Sequence, residues 1–408
     1  ILANLIKNSR ELGASLIAFD IVFAESDRLN PNNITETVKG LSVEIVRELN
    51  KLPSNDERLA SELSKFAVVL GRAVRFRNDS DDPQVDDYRG TTVVEKKING
   101  TLLPRKFLPR FSWLIPNIET LEEGVDHPYG GYGVFNAIPD GDGVIRRVPS
   151  FFAYDRCGTL EVLKRRGPIN CMQLFPSLAV EILRVNTYRT SKNKQPRQAV
   201  IITSDQAGIL GVKVDRDITI ETDREGFIWP YFSKTSHDRY ISAADILEKT
   251  INPDLIKGKI LVVGTSAVGL QDIKAVPTNA AMPGVEVHVQ ILETILSKDY
   301  LLRPNYLVAA EVFFVILAGL VLIYLFPVFG AKWTSFVFLG MVLVSVLVSV
   351  YYFLNYRILI DSTTPLASLT LMYMALSYLG FMREEAKKKE TRAAFSKYLS
   401  PDMVEQVS

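Results

Sequence analysis

The side chains that could bind or react are few and widely spaced. Asp20 interrupts an apolar run, SLIAFDIVF (15–23), and Glu25, Ser26 and Asp27 follow it. Ligands of open α/β sheets bind at the carboxyl ends of strands, where such a carboxylate would stand; an aspartate capping a neighbouring turn leaves the same pattern. Far along the chain KGKILVVGT (257–265) runs into Gly264, Thr265 and Ser266, and then on to Asp272. Small residues after a strand can turn backbone N–H groups toward an anion. The lysine and spacing of a nucleotide P-loop are missing, and a tight structural loop would use the same residues. Asp20, Gly264, Thr265, Ser266 and Asp272 are therefore candidate ligand-binding residues. No catalytic set is recognisable.

Cys157 and Cys171 are the two cysteines of the 408-residue chain. They bracket GTLEVLKRRGPIN, which has the look of an inserted loop. A disulfide closing a loop of this size stabilises by about 3 kcal/mol in the chain-entropy model; two unpaired thiols in a local core are the alternative. His127, His237 and His288 are far apart and stand at no ligand spacing from a cysteine, so no metal site is expected. The aspartate-rich stretch NDSDDPQVDDYRG (78–90) lacks the glycine and closing glutamate of a calcium loop and reads as solvated. Lys plus Arg is 47 and Asp plus Glu 46, so no basic excess points to nucleic acid.

The elements that must position these residues alternate between helix and strand. Ile1–Glu11 reads as a helix ended by Gly13, and Ser15–Phe23 as a buried strand. The pattern repeats with a helix over 55–66, capped by Asn55 or Asp56, and a strand over 67–72. Two β-hairpins are expected, 131–154 turning through Pro139–Gly143 and 219–232 turning near Asp223–Gly226. Adjacent Arg146 and Arg147 must point to opposite faces of their strand. Leu174–Arg184 reads as an amphipathic helix, Ser242–Lys249 as a short helix capped by Ser242, and Lys257–Thr265 as the strongest buried strand. Pro283–Leu296 reads as a helix leading toward the apolar block that follows.

That block organises the chain. Residues 306–326 and 334–354 are apolar runs of 21 residues, about 31 Å each as helix, and 365–382 is a shorter one of 18. Thr364 and Pro365 suit the start of the third. Soluble helices rarely stay apolar on every face for so long, so three membrane helices are expected. Arg383, Lys387, Lys388, Lys389, Arg392 and Lys397 follow the third, which makes that end cytoplasmic and residues 1–305 extracytoplasmic. The chain starts at Ile1, so an export signal or a first membrane helix is expected upstream. Glu311, inside the first helix, needs a partner or the interface; Arg357 is the candidate.

The ordered landmarks AFDIVFAESD (18–27), GYGVFNAIPDGDGVIRRVPSF (131–151), FPSLAVEIL (175–183), the run 258–296 and LLRPNY (301–306) resemble the CHASE-type extracellular sensor domain of the second class. The family's usual three membrane helices after the sensor reinforce the likeness. The family's first strand and the membrane helix before it have no counterpart here, and 73–115 and 156–170 look longer or more irregular than usual. The tail AAFSKYLSPDMVEQV (393–407) is similar to the lead-in of class III adenylate/guanylate cyclase catalytic domains. A histidine kinase would instead show a phospho-accepting histidine, and none follows His288.

The fold class expected is an α/β extracytoplasmic sensor domain (1–303), a three-helix all-α transmembrane unit (304–382) and a cytoplasmic signalling helix leading into a cyclase (383–408). The resemblance implies a homodimeric bacterial adenylate cyclase in the inner membrane, forming cyclic AMP from ATP with Mg or Mn in a domain after Ser408. This chain itself would hold no cofactor. Its partners would be membrane lipid and an unidentified extracytoplasmic signal. The same sensor coupled to a protein kinase, or a non-enzymatic membrane assembly module, are the alternatives. Leu379, Met382, Ala386 and Ala393 fall on a, d, a and a positions of a heptad interrupted by Lys389, which points to a weak parallel helix pair carrying the signal inward.

Overall fold

The computed structural model describes residues 1–75, 88–98, 102–155, 172–190, 199–265, 272–304 and 306–395. It divides into two units, Ile1–Tyr300 and Leu301–Ser408. In the first, the strands in chain order are β1 (Leu16–Phe19), β2 (Val68–Arg75), β3 (Val93–Lys97), β4 (Arg110–Phe111), β5 (Trp113–Ile115), β6 (Gly130–Val134), β7 (Val148–Pro149), β8 (Phe151–Asp155), β9 (Met172–Pro176), β10 (Val200–Ser204), β11 (Ile209–Lys213), β12 (Thr219–Ile220), β13 (Phe227–Ile228), β14 (Ile260–Val263), β15 (Ile273–Val276) and β16 (Asn279–Pro283). The central sheet is β14–β1–β2–β6, all parallel, with β5 antiparallel beside the far half of β2.

Helices cover both faces of this sheet, which is why β1 is buried at every residue. On one face Ile17, Phe19, Val68, Leu70 and Tyr132 meet Leu5 and Ile6, Leu59 and Leu63, and Leu121 and Val125, from the helices Leu2–Glu11, Asn55–Leu63 and Glu119–Val125. On the other lie the helices Leu178–Thr190 and Gly284–Ser297. A smaller sheet, β4–β8–β9, packs Phe111, Phe152, Tyr154 and Phe175 into an aromatic cluster with Val74, Leu114 and Val134. A third sheet has the order β12–β11–β10–β3.

Several expectations need correcting. The first strand stops at Phe19, so Asp20 follows it instead of interrupting it. The second helix is capped one residue earlier, by Ser54, in a reciprocal capping box with Glu57. The predicted helix over 174–184 begins as strand β9, because Pro176 holds Phe175 extended, and the helix starts at Leu178. That helix is buried around nearly its whole circumference from Leu178 to Val185, and so is not amphipathic. β14 is an edge strand of intermediate exposure, not the most buried one.

Both expected hairpins have their turns but not their pairings. The first turn is closed by Asp140 N–H to Val144 O (3.0 Å), with Gly143 at φ 82°. Its arms then part: β6 joins β2, while β8 pairs with β9 and β4. The second is closed by Asp223 N–H to Phe227 O (2.9 Å), yet β12 pairs with β11 and β13 with β7. Arg146 closes its own turn onto Asp140 and Asp142, and Arg147 ties that segment to Asp223 and Glu225 at 3.1 and 3.0 Å.

In the second unit a helical run spans Tyr306–Tyr356, broken at Gly330 (φ 71°, ψ 173°) three residues after Pro327, and a further helix spans Thr363–Phe395. The chain reverses at the break. Tyr373 lies against both Phe326 and Phe338, and Phe314, Phe338, Met341, Met372 and Leu376 surround Ala318, Leu322 and Leu369. Both helices are long and apolar enough to cross a membrane. The Thr363–Phe395 helix starts before Thr364, and Asp361 accepts from the N–H groups of Thr363 (2.8 Å) and Thr364 (3.3 Å). Glu311 pairs with Arg303 (3.2 Å) and accepts from Asp361 N–H (2.8 Å), in place of the Arg357 expected.

Gly133 of β6 faces the helix at Leu178: an added Cβ would stand 2.5 Å from Leu178 Cα, whereas at Gly141 it would meet nothing within 4 Å. Gly133→Ala should therefore destabilise by about 1–3 kcal/mol, as overpacking does. Gly141→Ala should be close to neutral. Chemical denaturation of the two variants checks the contrast, and equal midpoints would refute the close packing of helix on strand.

Candidate functional site

Asp20 sits where β1 ends. Its N–H donates to Val263 O (2.8 Å), fastening the end of β1 to β14, and its side chain is 6% exposed. Among the described residues no group donates a hydrogen bond to this carboxylate. The nearest charged partner is His288, on the Gly284–Ser297 helix, with Nε2 3.8 Å from Asp20 Oδ1. His288 Nε2 is 3.0 Å from the carbonyl oxygen of Phe135. A carbonyl only accepts, so Nε2 carries a proton. Among the described residues Nδ1 is buried without a hydrogen-bond partner. Burial pushes the Asp20 acid above the usual carboxylate range; the His288 ring works against this, Asp272 adds to it, and Lys274 opposes it.

The other residues singled out by sequence gather near the same end of the sheet. Gly264 follows β14, and a Cβ there would stand 2.5 Å from the Val285 side chain, so this glycine lets the strand end meet the helix. Thr265 is the last described residue before 266–271, and Ser266 lies outside the described residues. Asp272 begins the next segment, pairs with Lys274 (2.6 Å) and receives Gly284 N–H on its backbone oxygen (2.6 Å). Its carboxylate lies over Gly284, at the start of the Gly284–Ser297 helix, where negative charge is favoured. An acid of this chain thus already occupies that helix end. Cys157 and Cys171 lie outside the described residues, as does most of the 78–90 stretch; Asp155 and Met172, the strand residues flanking 156–171, are cross-strand partners. No cluster of metal ligands occurs among the described residues.

A parallel sheet clothed by helices, with a buried acid and histidine at its carboxyl edge, is followed here by long apolar helices. A family model for the CHASE2 domain matches residues 1–325. The chain belongs to the CHASE2 domain family. CHASE2 is an extracellular sensor domain, which fits a receptor role and membrane insertion through the long apolar helices. Neither the curated proteins nor the solved structures contain a match.

Sequence reading missed His288 as Asp20's neighbour, having weighed the histidines only as metal ligands. It also missed two buried ion pairs of this CHASE2 domain. Arg72, on β2, is wholly buried; it donates to Glu122 (2.8 Å) and to the Arg89 carbonyl, and its guanidinium lies 4.0 Å from the Tyr132 ring centroid. Arg184 donates through Nε and Nη2 to Glu181 (2.9 and 2.7 Å), both residues being buried. The signal was available: an arginine inside VVLGRAVR, and Glu181 and Arg184 at i,i+3 within the otherwise apolar stretch 178–185.

Because folding raises the Asp20 pKa, the fold favours the protonated acid. Its contribution to stability is fully present below the unfolded carboxylate value of about 3.9 and is lost as pH rises through the higher folded value. Asp20→Asn should therefore gain stability over the parent protein as pH increases from about 4, levelling off above the folded pKa. Denaturation midpoints of both proteins across that range check this; a difference independent of pH would refute the raised pKa.

Proposed function

We propose that the chain is the receptor part of a class III nucleotidyl cyclase, specifically an adenylate cyclase. The observation that carries the reading is that the CHASE2 match continues to residue 325, well into the first apolar helix, so sensor and membrane segment belong to one unit of sequence. The tail 393–407 supports a cyclase as the output through its likeness to the lead-in of class III catalytic domains. That domain would follow Ser408 and hold ATP with Mg²⁺ or Mn²⁺.

The reversal at Gly330 supports three crossings of the inner membrane, and the basic residues 383–397 support a cytoplasmic tail with the first unit outside. The same basic residues suit anionic lipid. Leu379 and Met382 are about half exposed, and Ala386 and Ala393 are exposed, so the heptad face is open to a second copy of this helix in a homodimer. A signal that shifts this pair between two states needs only a few kcal/mol of differential binding.

Full-length protein in membranes should form cyclic AMP from ATP with Mg²⁺ or Mn²⁺, and the rate should change several-fold when the residues before Asn305 are deleted. Prolines at Ala386 and Ala393 together should remove that dependence, because each breaks the helix at a cost of about 3 kcal/mol. No cyclic nucleotide from either ATP or GTP would overturn the cyclase reading and favour a kinase output or a non-enzymatic assembly module. Activity indifferent to the deletion would overturn the regulatory role of the outer unit.

A further inference from the structure

Beside the edge strand β6 the outer unit contains a cavity of about 260 Å³. At roughly 30 Å³ per water it has room for about eight waters or one small metabolite. Its lining is charged with both signs. Glu181 and Arg184 form the inner wall and are 0% and 4% exposed; Tyr132 adds an aromatic surface; Arg89 and Asp126 stand at the exposed rim.

The hydrogen bonds of the inner wall leave one donor over. Glu181 is satisfied on both oxygens, by Arg184 and by Thr91 Oγ1 (2.8 Å). Arg184 spends Nε and Nη2 on Glu181, and Nη2 also on Gly130 O (3.2 Å). Among the described residues its Nη1 has no hydrogen-bond partner, although the residue is buried. Burial opposes the charge on this guanidinium, and Glu181 outweighs it, so Arg184 stays a cation. An ion pair buried for stability alone gains little over an apolar pair of the same shape, and walling a void with one gains less. Charged groups converging on a preformed cavity are the arrangement of a ligand site.

We infer that this cavity binds a small zwitterion of the amino-acid class. Its carboxylate is taken by Arg184 Nη1 and the Arg89 guanidinium, which can bind a carboxylate through paired N–H donors. Its ammonium group is taken by Asp126. The balance of charge excludes a multiply charged anion, since Glu181 and Asp126 face the same space. The inference rests on the outer unit being a receptor only in making this molecule its signal; the binding is read without any enzyme activity.

The test uses the 408-residue chain in lipid nanodiscs, titrated by calorimetry with each of the twenty L-amino acids. At least one should bind saturably, and its deaminated and decarboxylated analogues should bind at least tenfold more weakly. Arg89→Gln and Asp126→Asn, both at the exposed rim, should each weaken binding about tenfold, equivalent to about 1.4 kcal/mol, in protein that still unfolds cooperatively. Arg184→Gln should abolish binding, but it also breaks a buried pair, so the rim variants carry the test. No binding by any amino acid, equal binding by the analogues, or affinity unaltered in both rim variants would each overturn the proposal.

Discussion

The contact between β6 and the helix Leu178–Thr190 sets the geometry of the outer unit. Gly131 and Gly133 put no side chain on the face of β6 that meets the helix, and a Cβ at either would strike Glu181 or Leu178. The helix can then lie against the sheet almost backbone to backbone, and it is buried nearly all round as a result. This close approach carries Glu181 and Arg184 down to the edge of the sheet. Gly130 serves the opposite face, where a Cβ would strike Val125 at the end of the Glu119–Val125 helix. Three glycines of one strand thus fix two helices, and the charged cavity lies beside them.

What could be read from the sequence was local. The helix Leu2–Glu11, the strand near Ala18, the two glycine–aspartate turns and the helix after Pro283 follow from periodicity, caps and positive-φ positions, all properties of a few neighbouring residues. Pairing was not legible, because it is decided by partners far away. The segment 131–154 has every local mark of a hairpin, yet β6 lies beside β2, more than 55 residues earlier, because a strand buried at each of its five residues gains more inside the parallel sheet than in a two-stranded ribbon. Register across a parallel sheet leaves no adjacent signature. Phe175 and Pro176 misled for a related reason, since the apolar run through them continues smoothly from strand into helix.

The candidate site was half legible on the same grounds. Asp20 and Gly264 drew attention because each follows an apolar strand, and Asp272 because it closes the run of small residues after the second; in the structure they lie toward one end of the sheet. His288 and Lys274 join them through tertiary packing alone. Asp20 differs physically from the buried arginines. Arg72 and Arg184 each face a carboxylate within hydrogen-bond distance, so their burial is compensated. Among the described residues Asp20 has a histidine at 3.8 Å and no hydrogen-bond donor, so its burial is expressed as a shifted protonation equilibrium. The first arrangement fixes structure; the second leaves a group able to change charge near the end of β14 and the helix that His288 belongs to.

The second unit is held by shape more than by polarity. Gly319 lies against Met372 and Gly380 against Phe326, and in both places a Cβ would come within 2.7 Å of the facing side chain. Small residues at such contacts let apolar helices pack when surrounding lipid offers no hydrophobic gain. The packed part ends before the helix does. Thr363–Phe395 continues for 13 residues past Met382, about 20 Å at the helical rise, with no proline or glycine in that stretch. An unbroken helix transmits rotation or piston movement along its axis without loss at a hinge. The apolar positions Leu379 and Met382 lie where the packed segment gives way to the charged one, so the homodimer proposed above would join its helices at that boundary.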